Sequence, residues 1–365
     1  MSATPELMEG SEAIAAAMVA AGCRFFAGYP MTPFTEVLEH MARRLPEVDG
    51  VCINAESELE AIGMAWGAAA TGTPAATGST GQGLALMQES LAEMSYGRIP
   101  LVVLNMARAQ GDYFQSTRGG GHGDYRHIVL APADATEAIA LVQRAFHLAF
   151  AWRNPVLVVG DYHLAHTMQS VVVEPLDLGP LDASDWALDG STGGTGGARL
   201  LSSLSQTKRR DAAGYDLGKV YVDHAEHIAE MLASVEPMAE VGHVDDAELV
   251  VVAYGTPGRY ARAAVDVLRT EGERVGYVRP ITLLPFPAQI LRDATAGARA
   301  VAVYENNTGQ MVDDVRLALL GRTPVEFIGR PSYDESGFGI APDLDVAWFV
   351  QRLRDALDRT RGDDR

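Results

Sequence analysis

Residues 55–72 read AESELEAIGMAWGAAATG. Glu56, Glu58 and Glu60 crowd the mouth of a segment that then turns almost wholly small and apolar. Buried helices seldom begin with spare glutamates unless something neutralises them. A solvated first turn, where negative charge favours the helix dipole, accounts for Glu56 and Glu60. Glu58 asks for more, because the run ELEAIGMAWGA begins with it. The small residues Ala61, Gly63, Ala65, Gly67 and Ala68 let this helix pack tightly, and a carboxylate at its buried end can bond a ligand nitrogen.

The stretch is also one unit of a longer alternation. The apolar run GVCINA precedes it, and PAATGS, IPLVVLNM, RHIVLAP and PVLVVGDY follow as further strands. Helical patterns separate them: EGSEAIAAAMVAAG, PFTEVLEHMARRL, GLALMQESLAEMSYG, and about Ala135 to Trp152. Strands alternating with helices of ten or more residues predict an α/β fold, a parallel sheet covered by helices on both faces. From about His163 to Val244 the rhythm fails, and LDGSTGGTGGARL (188–200) has no period. Alternation resumes with ELVVVAYG, RYARAAVDVLRTEG, RVGYVRP, RAVAVYENN and VEFIGRP, before a final helix burying Val346, Phe349, Val350, Leu353 and Leu357. The expected organisation is a first domain over 1–175, a connector or lid over 176–243, and a second, smaller α/β domain over 244–365.

Composition narrows the function. The 365 residues carry a formal charge of −19, which repels phosphate backbones and argues against nucleic acid as a partner. No apolar run approaches a membrane span and no signal sequence is legible, so a cytoplasmic protein with no membrane contact is expected. Cys23 and Cys52 are isolated in apolar segments and read as buried small hydrophobes. Two cysteines cannot hold a four-thiolate iron–sulfur cluster or a structural zinc, so any such centre lies on another polypeptide, and no metal site is expected here.

Parallel sheets bind ligands at the carboxyl ends of their strands. Four loops there are unusual: GYPMTPFTE (28–36), AESE (55–58), GSTGQG (78–83) and NMARAQGDYFQSTRGGGHGDY (105–125). In the first, Pro33 suits a first helical position and the Thr32 hydroxyl can cap; alternatively it faces a substrate carboxylate. GSTGQG fits neither a dinucleotide fingerprint nor a phosphate loop. The glycines between Arg118 and His122 suit close approach to a ligand or a flexible lid, and His122 reads either as a hydrogen-bonded loop histidine or as a catalyst.

Taken together, GYPMTPFTE, AESELEAIGMAWGAAATG, GSTGQGLALMQESLAEM and GDYFQSTRGGGHGDY resemble the α subunits of 2-oxoacid:ferredoxin oxidoreductases, especially those for branched-chain 2-oxoacids. YGTPGRYARAAVDVL, VRPITLLPFP and VYENNTGQM extend the likeness, which covers roughly 8–168 and 246–332. The resemblance implies a thiamine-diphosphate-binding fold with a transketolase C-like second domain. It also implies oxidative decarboxylation of a 2-oxoacid (branched-chain, 2-oxoglutarate or pyruvate) to its acyl-coenzyme A, with reduction of ferredoxin. Glu58 falls where the family's glutamate bonds the aminopyrimidine ring and favours the tautomer that deprotonates the thiazolium carbon. By the same match Thr32 and Arg108 hold the substrate carboxylate; Tyr29, Pro30, Gly81, Gln82 and Gly83 border the cofactor; Arg118 and His122 supply loop contacts.

One departure stands out. Relatives usually carry a longer Gly/Pro-rich insert after this arginine, whereas here NMAR runs directly into AQGDYFQ. The GDG…N segment that binds magnesium and diphosphate is missing as well. The resemblance therefore implies half a site, with Mg2+ and a 4Fe-4S cluster on a β subunit, and with γ and δ subunits as further partners in the family. Two alternatives stand beside it: the β-type subunit of a lipoyl-linked 2-oxoacid dehydrogenase, and a non-catalytic α/β assembly subunit.

Overall fold

The structure is a computed structural model that describes residues 4–188, 217–335 and 340–362. In chain order the strands are β1 (Glu6–Glu9), β2 (Phe25–Gly28), β3 (Val51–Asn54), β4 (Ala75–Ser79), β5 (Leu101–Ala107), β6 (Ile128–Leu130), β7 (Pro155–Asp161), β8 (Met168–Val171), β9 (Ala239–Gly242), β10 (Leu249–Val252), β11 (Val275–Pro280), β12 (Thr282–Leu284), β13 (Ala300–Val303) and β14 (Val325–Phe327). The helices are α1 (Gly10–Ala20), α2 (Thr35–Arg44), α3 (Glu58–Ala70), α4 (Gly81–Gly97), α5 (Tyr113–Thr117), α6 (Ala135–Trp152), α7 (Tyr162–His166), α8 (Leu217–Ser234), α9 (Gly255–Thr270), α10 (Ala288–Ala294), α11 (Met311–Leu319) and α12 (Val346–Gly362).

The expected parallel sheet forms in the order β12-β6-β7-β5-β4-β2-β3. Pairing is parallel from β6 to β3, and only β12, reaching across from the later part of the chain, is antiparallel. β5 and β7 are buried along their whole length, as a sheet covered on both faces requires. Val102, Leu104 and Met106 of β5 turn toward α1, α2 and α6, whereas Leu101 and Val103 turn toward α3 and α4. The second sheet runs β14-β13-β10-β11-β9, parallel except for the β9 edge. One of its faces is covered by α9 and α12, and the other shares an apolar core with α3 and α4.

Two features depart from the sequence reading. Within the stretch expected to be connector, α8 is an 18-residue helix whose Ile228 and Met231 join the core under α1 and α6. β9, also inside that stretch, pairs in the second sheet. The LDGSTGGTGGARL run lies outside the described residues apart from Leu188. Burial pushes the Cys23 thiol up to about 12 and the Cys52 thiol to about 11, which disfavours the thiolate of each. Among the described residues no helix is long and apolar enough to cross a membrane.

Candidate active site

β2, β3, β4 and β5 run side by side and parallel, so their carboxyl ends bring the four loops to one rim. α3 starts at Glu58 because Ser57, extended in backbone, accepts the N–H of Leu59 at 3.2 Å. The Ser57 hydroxyl also donates to the Glu60 carboxylate, which holds the Glu60 pKa below its ordinary value. Glu56 and Glu60 face solvent, but Glu58 is 2% exposed. Ser79, the last residue of β4, donates its hydroxyl to Glu58 Oε1 at 2.7 Å. Oε2 forms no hydrogen bond with a described residue. A buried carboxylate with one oxygen held and one unused is arranged to receive a donor from outside the chain.

The first turn of α4 lies directly on this pair. A Cβ at Gly83 would overlap Ser79 Oγ and Glu58 Oε1, and one at Gly81 would overlap the Asp112 carboxyl. Both glycines are therefore required by close approach. Beyond them opens a cleft of about 490 Å3 whose walls include Gly81, Gln82, Arg108, Asp112 and Tyr333. Arg108 donates from Nε to the Thr32 carbonyl at 3.2 Å, and its two terminal nitrogens form no hydrogen bond with a described residue. The fork is thus available for a carboxylate. Burial raises the pKa of Asp112, while bonds from Asn105 and Gln115 pull it down.

Several expected residues stand elsewhere. Thr32 caps nothing: the Thr32–Pro33 peptide is cis, Phe34 N–H bonds back to Met31 O at 2.7 Å, and α2 begins only at Thr35. Thr32 meets Arg108 through its main chain instead. Tyr29 is half-buried and Pro30 exposed, and neither lines the cleft. Arg118 turns away to pair with Asp314 of α11 at 2.6 Å. His122 sits between Glu89 (3.2 Å) and Glu93 (3.3 Å) on α4. Among the described residues this is the one cluster of three such side chains that could hold a metal. Each imidazole nitrogen addresses a different carboxylate, however, which is the geometry of a clamp. The glycine run before His122 serves packing: Gly120 and Gly121 N–H both bond Tyr125 Oη at 2.8 Å, and a Cβ at Gly121 would lie 2.5 Å from Gln88 O. Ser79 and Asp112 were not singled out from the sequence, although both lie inside the quoted motifs.

Residues 16–237 match the family described as pyruvate flavodoxin/ferredoxin oxidoreductase, thiamine diphosphate-binding, and residues 247–335 match pyruvate:ferredoxin oxidoreductase core domain II. The chain belongs to the 2-oxoacid:ferredoxin oxidoreductases. It is 37% identical over 336 residues to the ketoisovalerate oxidoreductase subunit VorB of Methanothermobacter thermautotrophicus, covering 89% of this chain and 92% of that one. It is 34% identical over 340 residues to the 2-oxoglutarate synthase subunit KorA of Methanocaldococcus jannaschii, covering 85% and 90%. Among solved structures, the 2-oxoglutarate:ferredoxin oxidoreductase of Magnetococcus marinus superposes with a TM-score of 0.82 at 24% identity, over 97% of this chain and 65% of that one. A split-gene transketolase follows the same fold at a TM-score of 0.59 and 16% identity. This 2-oxoacid:ferredoxin oxidoreductase subunit thus has a thiamine diphosphate-binding domain, and its buried carboxylate fits a hydrogen-bond donor of such a group. The buried Glu58 keeps one oxygen that no described residue bonds, and Gly83 lets the α4 backbone pack directly against the oxygen held by Ser79.

Proposed function

We propose that this chain is the α subunit that supplies the aminopyrimidine half of a thiamine diphosphate site, in a complex converting a 2-oxoacid to its acyl-coenzyme A with reduction of ferredoxin. The observation that carries the reading is the burial of Glu58 with Ser79 on one oxygen and no described residue on the other. When bound, thiamine diphosphate supplies the carbanion chemistry that lets carbon dioxide leave a 2-oxoacid. Glu58 holds or releases a proton at the pyrimidine ring nitrogen, and the Ser79 hydroxyl fixes the carboxylate that does so. Gly81 and Gly83 let the backbone approach the ring. Arg108 receives the substrate carboxylate in the cleft, with Thr32 O orienting the guanidinium.

The remaining half of the site, with Mg2+ and a 4Fe-4S cluster, belongs to a β subunit. The outer face of α3 supports that assignment: Leu59 is 51% and Met64 41% exposed, and a Cβ at Gly63 or Gly67 would meet nothing within 4 Å. An apolar helix face with bare glycines beside the buried carboxylate is suited to close packing by a second polypeptide. Relatives named for ketoisovalerate and for 2-oxoglutarate resemble the chain to similar extents, so the substrate belongs to the 2-oxoacids of that size range.

Glu58→Gln in the assembled complex tests the role. The expected result is a loss of turnover of about 10²-fold or more with assembly intact, the scale of a positioned acid–base group. Unchanged turnover would remove Glu58 from the chemistry. Arg108→Ala is expected to raise KM for the 2-oxoacid and leave KM for coenzyme A unchanged.

A further inference from the structure

In α/β sheets the carboxyl ends of parallel strands are where ligands bind. In the second sheet the protein fills those positions with its own side chains. Beyond β13, Glu305 is fully buried, and its carboxylate accepts the N–H groups of Gln310 (3.0 Å), Met311 (2.7 Å) and Val312 (3.0 Å) at the start of α11. Asn307 Nδ2 adds a fourth bond to it at 3.0 Å. Beyond β10, Tyr254 forms the N-cap of α9. Into the space between these two loops comes Gln110, from the first domain.

Gln110 is 5% exposed and uses all its reach there. Its Nε2 donates to the Tyr254 carbonyl at 3.1 Å, and its Oε1 accepts the Asn306 N–H at 2.8 Å. Its main-chain carbonyl accepts Asn307 Nδ2 at 2.7 Å. Gln310 continues the attachment by donating Nε2 to Gly111 O and accepting the Phe114 N–H, both at 2.7 Å. Tyr113 donates its hydroxyl to Asp314 at 2.5 Å. The segment 110–114 leaves β5 of the first sheet but hangs on the second. Arg108 just before it and Asp112 within it are both on the cleft wall. No long insert separates Arg108 from this anchor, since Ala109 alone stands between them.

We propose that Gln110 is a positioning residue. By seating in the strand ends of the second sheet it fixes the main chain from which Arg108 meets the 2-oxoacid carboxylate, so the second domain serves as the support of the substrate arm. The proposal rests on the assignment of Arg108 to that carboxylate. Arginine side chains lose considerable freedom when they bind, and a pre-set backbone reduces what must be ordered at that moment. Cutting Gln110 back also leaves the Asn306 N–H buried with no partner among the described residues, and leaves Tyr254 O only the 3.3 Å bond from the Gly258 N–H, which favours release of the segment.

The test compares Gln110→Ala and the space-filling Gln110→Met with the parent α subunit, each in the assembled complex, with ketoisovalerate and 2-oxoglutarate as substrates. Both variants should raise KM for the 2-oxoacid about tenfold or more, the scale on which misplacement of a binding group acts. Both should change kcat and the KM for coenzyme A far less. Amide hydrogen exchange, measured without substrate, should accelerate in residues 106–114 and stay unchanged in α1 and α6. In an Arg108→Ala background, adding Gln110→Ala should have little further effect, because Gln110 acts through the arginine. Unchanged KM and exchange in complexes that assemble normally would overturn the proposal, and so would failure of both variants to assemble, since Gln110 would then be a folding residue. If Arg108→Ala itself leaves KM unaltered, the assignment of Arg108 has failed instead, and an exchange increase confined to 106–114 would still establish the anchor.

Discussion

Replacing Gly83 with alanine sets one methyl group directly against the Glu58 carboxylate. The added Cβ would overlap Glu58 Oε1 and Ser79 Oγ and would lie 2.5 Å from Ser79 Cβ. Ordinary contact distances are about 3.5 Å, so the carboxylate and the hydroxyl must retreat by roughly 1 Å. Ser79 Cβ belongs to a strand buried between β2 and β5 and has little room to yield. The flexible end of Glu58 therefore takes most of the displacement. Alanine inside a helix gains up to about 1 kcal/mol over glycine, whereas crowding a packed site costs about 1–3 kcal/mol. The net change in stability is a loss of at most about 3 kcal/mol, a shift of several degrees in melting temperature for a chain of this size. Catalysis responds differently, because a 1 Å error in a reacting group costs about 10²-fold, or about 2.7 kcal/mol in the barrier.

The assay is 2-oxoacid-dependent reduction of a viologen dye by the reconstituted complex, alongside thermal melting of the variant α subunit. Turnover should fall about 100-fold while melting moves by several degrees at most. A variant that melts like the parent and turns over at the parental rate would refute the reasoning, because it would show that the Glu58 position does not matter to the reaction. A variant that fails to melt cooperatively would place Gly83 in folding.

Ser79→Ala should keep the fold and reduce turnover about tenfold, since it removes one hydrogen bond to a buried carboxylate; equal rates in steady-state assays would contradict this. Burial pushes His127 down to about 3 and His224 down to about 4, so both are neutral in the folded chain. Their folded values lie below the unfolded one, so their contribution is present above pH about 6.5 and is lost as pH falls toward 3–4. By pH 5 the two together remove up to about 4 kcal/mol, and His224→Phe should flatten the fall in melting temperature between pH 7 and 5. Arg279 pairs with both Glu137 oxygens (2.8 and 2.9 Å) and with Glu240 (2.7 Å), and its side chain is 7% exposed. Arg279→Met should cost about 2–3 kcal/mol in denaturant unfolding, because it leaves Glu137 with only the Ala133 N–H and takes one of three donors from Glu240, which keeps Arg262 and Tyr277. Glu240, raised by burial but pulled down to about 2 overall by Arg262, Arg279 and Tyr277, remains charged and so cannot relieve the loss.

What the sequence disclosed and what it hid divide along the range of the forces involved. The alternation of strands with helices is local, and it led to the sheet and to the four loops at its rim. The separation of Glu58 from Glu56 and Glu60 was also legible, because a carboxylate heading a run of small residues has nowhere to go but inward. Failures arose where a local pattern allowed two outcomes. Thr32 before Pro33 looks like a cap, but the chain turns at 31–34 and the helix waits for Thr35. The α8 signal was present, since Val220, His224, Ile228, Met231 and Val235 recur at helical spacing and all are buried. The glycine-rich run at 188–200 reads as a connector and masks that spacing. Arg118, His122 and the glycines between them carry the composition of a ligand loop, yet their partners are Asp314 and α4.

Gln110 marks the limit of that kind of reading. Its side chain bonds Tyr254, 144 residues away, and Asn306, 196 residues away, and no pattern within one loop can announce such pairings. The chain nevertheless leaves a trace in what it omits. Arg108 and Gln110 are separated by one residue, so whatever anchors the glutamine also constrains the arginine, and here the anchor is the crevice of the second sheet. A domain whose own strand ends are filled by Glu305, Asn307 and Gln110 has little space there for a ligand. Its presence beside the first domain is better explained by the support it gives to the segment bearing Arg108. The acidic balance of the chain fits this division of labour. With a net charge of −19, an anionic substrate is drawn only to a place where a cation is held outward, and Arg108, tied by Nε to Thr32 and open at its fork, is such a place. Arg108→Lys should therefore keep the charge yet still raise KM for the 2-oxoacid, because an ammonium cannot both bond Thr32 O and present a two-pronged donor to the substrate. A lysine variant with parental KM would show that attraction alone suffices and that the held geometry of the arginine is dispensable.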